Sequence, residues 1–365
     1  MPHAPDELLT RLLRDVSRSF YLTMRVLPAP VRPQIGLAYL LARATDTIAD
    51  TEIVPVAQRL QALRELRERI LGQTKAPLNF TELARLQGKQ MLRHCDDAVR
   101  DIEFSKITDP AHPATGSDAE RVLLERIEDV LGLYAGFAPD DQRRIREALD
   151  IITGGQALDL QRFGAARENQ IVALQTDAEL DDYTYRVAGC VGEFWTKMCR
   201  ANLFPDAALD DSFLLANGVR FGKGLQYVNI LRDLPKDLRQ GRCYLPAEKL
   251  AEAGLTPADL LQPANEPRLR PLYHRYLDLA TEHLAAGWAY TNALPRGQVR
   301  VRLACAWPIL IGVQTLAQLR RANPLDAAQR IKVSRAGVRQ IMLQSLLRYP
   351  FRKSWKGLFA LAGGG

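Results

Sequence analysis

Cysteine and histidine are both scarce in this chain, five of each in 365 residues. The cysteines (Cys95, Cys190, Cys199, Cys243 and Cys305) are odd in number and form neither a CxxC pair nor a cluster with histidine. That excludes the common zinc sites and a disulfide framework, and it fits a reduced compartment, the cytosol. No uninterrupted apolar run reaches the ~18 residues that cross a bilayer. The first residues, MPHAPDELLTRLLRDV, have no apolar stretch preceded by basic residues, so neither secretion nor a membrane-spanning anchor is expected. Long stretches of period two are missing, and no GxGxxG follows a strand, which argues against a sheet and against a dinucleotide-binding fold built on one. No internal repeat is found, and no low-complexity tract beyond Gly363, Gly364 and Gly365.

Acidic residues run out towards the end of the chain. From Leu316 onward ten basic residues, among them Lys332, Arg335, Arg339, Arg348, Arg352, Lys353 and Lys356, face a single acid, Asp326. A formal charge of +7 by itself admits nucleic acid, anionic lipid or a small anionic substrate as partner. No nucleic-acid module is recognisable, and nucleic acid is not expected. Mixed with Leu346, Leu347, Tyr349, Phe351, Trp355, Leu358 and Phe359, the basic tail reads either as an amphipathic segment lying on an anionic membrane or as an ordinary solvated last helix.

What the chain does have is apolar residues at spacings of three and four, with 47% hydrophobic residues in all. It reads as all-α. Helix breaks are expected at Pro28, Pro30 and Pro33, at 73–79, at 108–117 and at 256–271, none long enough for a domain linker. One large helical domain over 1–340, followed by a basic segment 341–365, is the simplest division.

Two segments carry chemistry. In 31–50, Tyr39, Arg43, Asp46 and Asp50 follow one another at spacings of four, three and four, on one face of an otherwise apolar helix. Such a stripe looks into solvent or into a polar cavity, because burying two unpaired carboxylates is costly. Two aspartates four apart suit a hard cation that takes oxygen ligands. A single DxxxD is weak evidence, but Asp233 and Asp237 repeat it, preceded on the same face by Gln226 and Asn229. Two acidic stripes facing each other across a helical bundle would bind divalent metal with an anionic ligand completing the coordination. Mg2+, which keeps waters and phosphate oxygens as ligands, fits sparse pairs better than Ca2+ does. Ser17, Arg18, Ser19, Arg43, Arg232 and Arg242 supply hydroxyls and guanidinium forks that match phosphate oxygens. Phe20, Leu40, Val187 and Leu225 would line a pocket for an apolar chain or simply be core.

SRSF (17–20), YLLARATDTIAD (39–50), YTYRVAGCVG (183–192) and LQYVNILRDLPKDLRQGR (225–242) stand in the order found in squalene and phytoene synthases, and the chain resembles that family over 17–339. The resemblance implies a single-domain isoprenoid synthase helical bundle around a central cavity. Asp46, Asp50, Asp233 and Asp237 would be its metal and diphosphate carboxylates, with Gln226 and Asn229 beside them. Ser17, Arg18, Ser19, Phe20, Arg43, Arg232 and Arg242 would hold substrate, and Tyr39 and Tyr183 would stand near the reacting carbons. ITGGQALDLQRF (152–163), with Gln156 and Asp159, resembles a cavity-lining helix of the family. Pro235 within the second DxxxD should bend or end its helix, and Lys236 replaces a common acid.

VRLACAWPILIGVQTL (301–316), with a CAxP turn, and RIKVSRAGV (330–338), with a short basic stretch, resemble the squalene synthases within the family. The implied reaction joins two farnesyl diphosphates head to head through presqualene diphosphate and then reduces that to squalene with NADPH, towards sterols or hopanoids. Lys332 and Arg335 are the expected NADPH contacts, although Ser334 stands where a basic residue is common. The alternative is phytoene or dehydrosqualene synthesis, without reduction. A non-catalytic helical adaptor at the membrane surface is the reading from another class. Localisation is expected to be cytoplasmic and peripheral at the inner membrane surface.

Overall fold

Proline at a helix start costs nothing, because the first turn leaves its N–H groups unused. So of the cluster Pro28, Pro30, Pro33, the first two lie in the expected break between helices, while Pro33 sits inside the first turn of the next helix, Arg32–Asp50. The computed structural model describes residues 8–17, 21–95, 116–167, 169–329 and 331–364. The chain divides into two compact units, Met1–Gln161 and Arg162–Gly365.

In the first unit a π-helical turn, Leu8–Leu12, leads into α1 (Leu13–Ser17), followed by α2 (Tyr21–Val26) and α3 (Arg32–Asp50). Then come α4 (Val56–Ile70), α5 (Thr81–Cys95), α6 (Gly116–Glu125), α7 (Ile127–Ala135) and α8 (Pro139–Phe163). Helix α3 packs on α1, α4, α6 and α7. Its Ile35, Leu37, Leu40, Leu41, Ala44 and Ile48 are buried against a core that includes Leu63, Leu66, Leu123, Ile127 and Val130. Each such side chain contributes roughly 1.5–3 kcal/mol on leaving water. The expected break at 73–79 is observed as a non-helical link. Glu128 holds it by accepting from the Leu78 amide (2.8 Å) and from Arg69 (2.7 Å). The break expected at 108–117 falls mostly outside the described residues.

The second unit has β1 (Val172–Ala173), α9 (Asp177–Thr184), a π-helical turn at Tyr185–Gly189, α10 (Cys190–Leu203) and α11 (Asp211–Arg239). After α11 come β2 (Arg242–Cys243), α12 (Ala247–Glu252), two 3-10 turns (Pro257–Leu261, Pro263–Asn265) and α13 (Glu266–Ala293). The chain ends in α14 (Val299–Leu319), α15 (Arg335–Arg348), α16 (Arg352–Lys356) and α17 (Leu358–Ala362). The two strands pair in parallel, Val172 with Arg242 and Ala173 with Cys243. Everything else regular among the described residues is helix, as an all-α reading requires.

Helix α11 is the hub of this unit, packed on α10, α13 and α14. A Cβ on Gly192 would stand 1.8 Å from the carbonyl oxygen of Gly218. Only glycine lets α10 and α11 approach this closely, which gives the glycines of the segment 183–192 a packing reason.

Two expectations need correction. Of the two outcomes expected at Pro235, a bend or an end, the end does not occur: helix α11 continues to Arg239. The carbonyl of Leu231, which would have accepted from the missing amide, accepts instead from the Tyr273 phenol at 2.9 Å. The CAxP residues form no turn: Cys305, Ala306, Trp307 and Pro308 lie inside α14, with Cys305, Ala306 and Trp307 buried. The tail residues divide between core and surface. Trp355 and Leu358 are 3% exposed, and the Trp355 indole stacks on Trp288 with centroids 5.2 Å apart. It also donates to Asn292 at 2.9 Å. The division drawn after residue 340 falls within α15. Helix α14 is long and apolar enough to cross a membrane, yet 72% of its apolar window is buried inside the protein.

Candidate active site

From residue 35 to 50, the positions of α3 that are not buried are Tyr39, Ala42, Arg43, Asp46 and Asp50. The stripe read from spacing is therefore the open face of an otherwise enclosed helix. Arg43 donates to Asp46 one turn on and, across to α6, to Glu120. Glu120, 7% exposed, also accepts from the Gln87 amide at 3.2 Å. Burial of Arg43 alone would lower its pKa; Asp46 and then Glu120 outweigh that and raise it above the ordinary arginine value. The group is a fixed cation held in place from two sides. Its Nε is buried with no hydrogen-bond partner among the described residues, a spare donor at the edge of the stripe.

On α11, Tyr227, Val228, Ile230, Leu231, Leu234 and Leu238 are buried, whereas Gln226, Asn229, Asp233 and Asp237 are half-buried or exposed. Arg232 grips the neighbouring carboxylate of Asp233 with two hydrogen bonds, 2.8 and 2.6 Å. That bonding, before any other influence, raises its pKa. Asn229 donates to Gln226 at 3.4 Å, and Gln226 donates to the Tyr183 hydroxyl at 3.4 Å. Tyr183 is thus hydrogen-bonded to the second stripe through Gln226. Its ring stacks on Tyr244, with centroids 4.7 Å apart and planes at 27°. Phe163 meets Tyr244 edge-on at 5.3 Å. The aromatic wall and the polar stripe share Tyr183.

Arg18, Ser19 and Phe20 lie outside the described residues. Ser17 is 3% exposed and its hydroxyl donates to the Leu13 carbonyl, so here it serves its own helix. Leu40 is fully buried core, while Val187 and Leu225 are half-buried. Arg242 is half-buried in β2, just after Gly241. Gly241 has φ +77 and would bring a Cβ within 2.4 Å of the Arg167 backbone. On α8, Gln156 and Asp159 are half-buried, and the Gln156 Oε1 is buried with no partner among the described residues. Lys332 is exposed and Arg335 half-buried, on either side of Ser334. Ser334 caps α15 by accepting from the Gly337 amide at 3.1 Å, which explains a hydroxyl at that position.

Glu120, Gln87 and Tyr244 belong to these constellations without having been singled out by spacing. The Arg43–Glu120 pair spans 77 positions, and a partner that distant leaves no periodic signal. A cleft of about 490 Å3 in the second unit is lined by Asp177, Asp181, Tyr227, Tyr276 and His283, among others, and by none of the expected site residues. Two of its acids are already engaged, Asp177 by the Tyr276 hydroxyl and Asp181 by the Lys223 ammonium, both at 2.6 Å.

Among the described residues no group of three or more His, Cys, Asp or Glu side chains could enclose a metal ion. The carboxylates come instead as one pair per stripe, partly open. Oxygen donors this sparse fit an ion such as Mg2+, which keeps water and phosphate oxygens in its shell.

The model of the family described as squalene/phytoene synthase matches residues 13–337. A bifunctional lycopene cyclase/phytoene synthase of Gibberella fujikuroi is 29% identical over 295 residues, 80% of this chain and 44% of that protein. A squalene synthase of Schizosaccharomyces pombe is 23% identical over 336 residues, 92% of this chain and 64% of the yeast protein. The chain thus spans about half the length of the curated relatives it matches. Among solved structures, TcSQS in complex with a ligand matches with a TM-score of 0.71 at 20% identity, covering 98% of this chain and 91% of the other. That likeness establishes the fold, the helical isoprenoid synthase fold expected from the sequence. With the family model covering nearly its whole described length, the chain belongs to the squalene/phytoene synthase family.

Proposed function

We propose that the chain joins two farnesyl diphosphates head to head, through presqualene diphosphate, and reduces the product to squalene with NADPH. The observation that carries this reading is the pair of stripes: two helices, each closed by core on its other faces, each presenting two aspartates four apart beside a guanidinium. Asp46, Asp50, Asp233 and Asp237 would hold Mg2+, which when bound neutralises charge on a leaving diphosphate. Arg43, Arg232 and Arg242 bind diphosphate oxygens, and the pinning of Arg43 by Glu120 means that little reorganisation accompanies binding. Tyr39 and Tyr183 stand near the reacting carbons. The face of the Tyr183 ring steadies allylic cation character, and the phenols provide oxygens for proton removal. Apolar walls exclude water from a cation that water would quench. Lys332 and Arg335 have the charge to hold the phosphates of NADPH, which supplies hydride when bound.

A second reading, phytoene or dehydrosqualene synthesis without reduction, is favoured by the 29% identity to a protein with phytoene synthase activity in its name. The two part on substrate and reductant. Purified protein incubated with Mg2+ and either farnesyl or geranylgeranyl diphosphate, with and without NADPH, is expected to give squalene from farnesyl diphosphate only when NADPH is present. Phytoene from geranylgeranyl diphosphate, or dehydrosqualene whether or not NADPH is added, would establish the second reading instead.

We further propose that residues 341–365 meet an anionic membrane surface. The five most exposed large apolar side chains described, Leu343, Leu346, Leu347, Phe351 and Leu361, at 51–65% exposure, all lie in this segment. Exposed Arg339, Arg352, Lys353 and Lys356 accompany them, and no acid follows Asp326. Apolar side chains ringed by cations fit a bilayer with anionic headgroups.

A further inference from the structure

We propose that Tyr273 is a positioning residue for the second aspartate pair, its phenol standing in for the backbone amide that Pro235 lacks. This rests on the reading of Asp233 and Asp237 as the metal and diphosphate carboxylates. In an α-helix the carbonyl of Leu231 accepts from the amide of residue 235. Proline has no N–H there, and its ring crowds that same carbonyl. Leu231 is 1% exposed, so water cannot easily satisfy the orphaned oxygen, and a buried carbonyl without a partner is strongly disfavoured. The Tyr273 hydroxyl, on α13 and itself 1% exposed, donates to it at 2.9 Å.

The location gives the bond its consequence. Leu231 lies two residues before Asp233, and Pro235 lies midway between Asp233 and Asp237. Helix α11 runs through the proline without ending and keeps the two carboxylates on adjacent turns of one face. A helix that loses both the amide and its substitute relaxes by turning the Leu231 carbonyl outward, which opens the helix between the two aspartates. Tyr273 touches neither substrate nor metal in this account. It acts through the backbone that carries Asp233 and Asp237.

The test is a cycle of Tyr273→Phe, Pro235→Ala and the double variant in the full-length chain. Two quantities are read: Mn2+ binding in the presence of inorganic diphosphate, by electron paramagnetic resonance, and the thermal unfolding midpoint. Tyr273→Phe is expected to weaken Mn2+ binding about tenfold, the low end for groups that act on metal ligands from outside, and to lower the midpoint. With Pro235→Ala the amide returns, so adding Tyr273→Phe to that background should change Mn2+ affinity by no more than about twofold. Equal effects of Tyr273→Phe in both backgrounds would overturn the exchange of hydrogen bonds. Coupled midpoints with unchanged Mn2+ affinity would overturn the positioning role and leave Tyr273 a purely structural residue. Wild-type protein that binds no Mn2+ with diphosphate would refute the proposed function itself, a result separable from the midpoint cycle, which needs no ligand.

Discussion

Arg43 carries an obligation at each of its ends. One side of its guanidinium meets Asp46, an expected metal ligand, and the other meets Glu120 on α6. Glu120 is in turn anchored by Gln87. A long cationic side chain with about 2 kcal/mol of rotamer entropy is thereby placed before any anion arrives. Glu120→Gln keeps the shape of the partner and removes its charge. It should cost about 1–3 kcal/mol of stability, read by denaturant unfolding, and raise KM for prenyl diphosphate more than it lowers kcat. A change in kcat alone would mean that Glu120 does not act through Arg43 on substrate binding. At this scale the sequence was readable only where partners sit one turn apart. Arg43 with Asp46 has that spacing, whereas Arg43 with Glu120 and Tyr273 with Leu231 are 77 and 42 positions apart and leave no local signal.

Each of the two functional helices presents its stripe because its other faces are covered, α3 by α4, α6 and α7, and α11 by α10, α13 and α14. For α11 the covering is backbone on backbone at Gly192 and Gly218. Gly192→Ala would place a methyl 1.8 Å from the Gly218 oxygen, which forces α10 and α11 apart at a cost of about 1–3 kcal/mol or more. Thermal unfolding should show the loss. Activity should fall too, because Tyr183, on α9 shortly before α10, is joined to Gln226 of α11 by a 3.4 Å hydrogen bond. An alanine variant of full stability would refute the close crossing. The stripes themselves were legible in the sequence, since polar residues recurring every three to four positions on an apolar background mark one face of a helix. The continuation of α11 past Pro235 was not, because the propensity of proline is a local rule and the tyrosine that offsets it belongs to another helix.

At the scale of the whole molecule, the tail is both core and surface. Trp355 and Leu358 are stitched into the second unit, while Leu343, Leu346, Leu347, Phe351 and Leu361 project from it. The sequence announced the basic, apolar character of this segment but not which apolar residues turn inward, since the helices α16 and α17 are too short for periodicity to speak. If the substrates are the prenyl diphosphates proposed above, a surface that meets the membrane has an evident use. The protein should sediment with vesicles containing phosphatidylserine and not with neutral ones, and the binding should weaken as salt rises. Leu347→Glu combined with Phe351→Glu should abolish sedimentation and leave the fold intact. Undiminished binding by that variant would place the membrane contact elsewhere.

The central proposal is that the carboxylate pair of α3 and that of α11 each serve diphosphate departure. It is tested most directly by measuring Mg2+-dependent release of inorganic diphosphate from farnesyl diphosphate by wild type, Asp46→Asn and Asp233→Asn, with circular dichroism to verify folding. The account predicts release by wild type that chelation of Mg2+ stops, and a fall of at least about 100-fold in each folded variant. Release by either variant at the wild-type rate would contradict it.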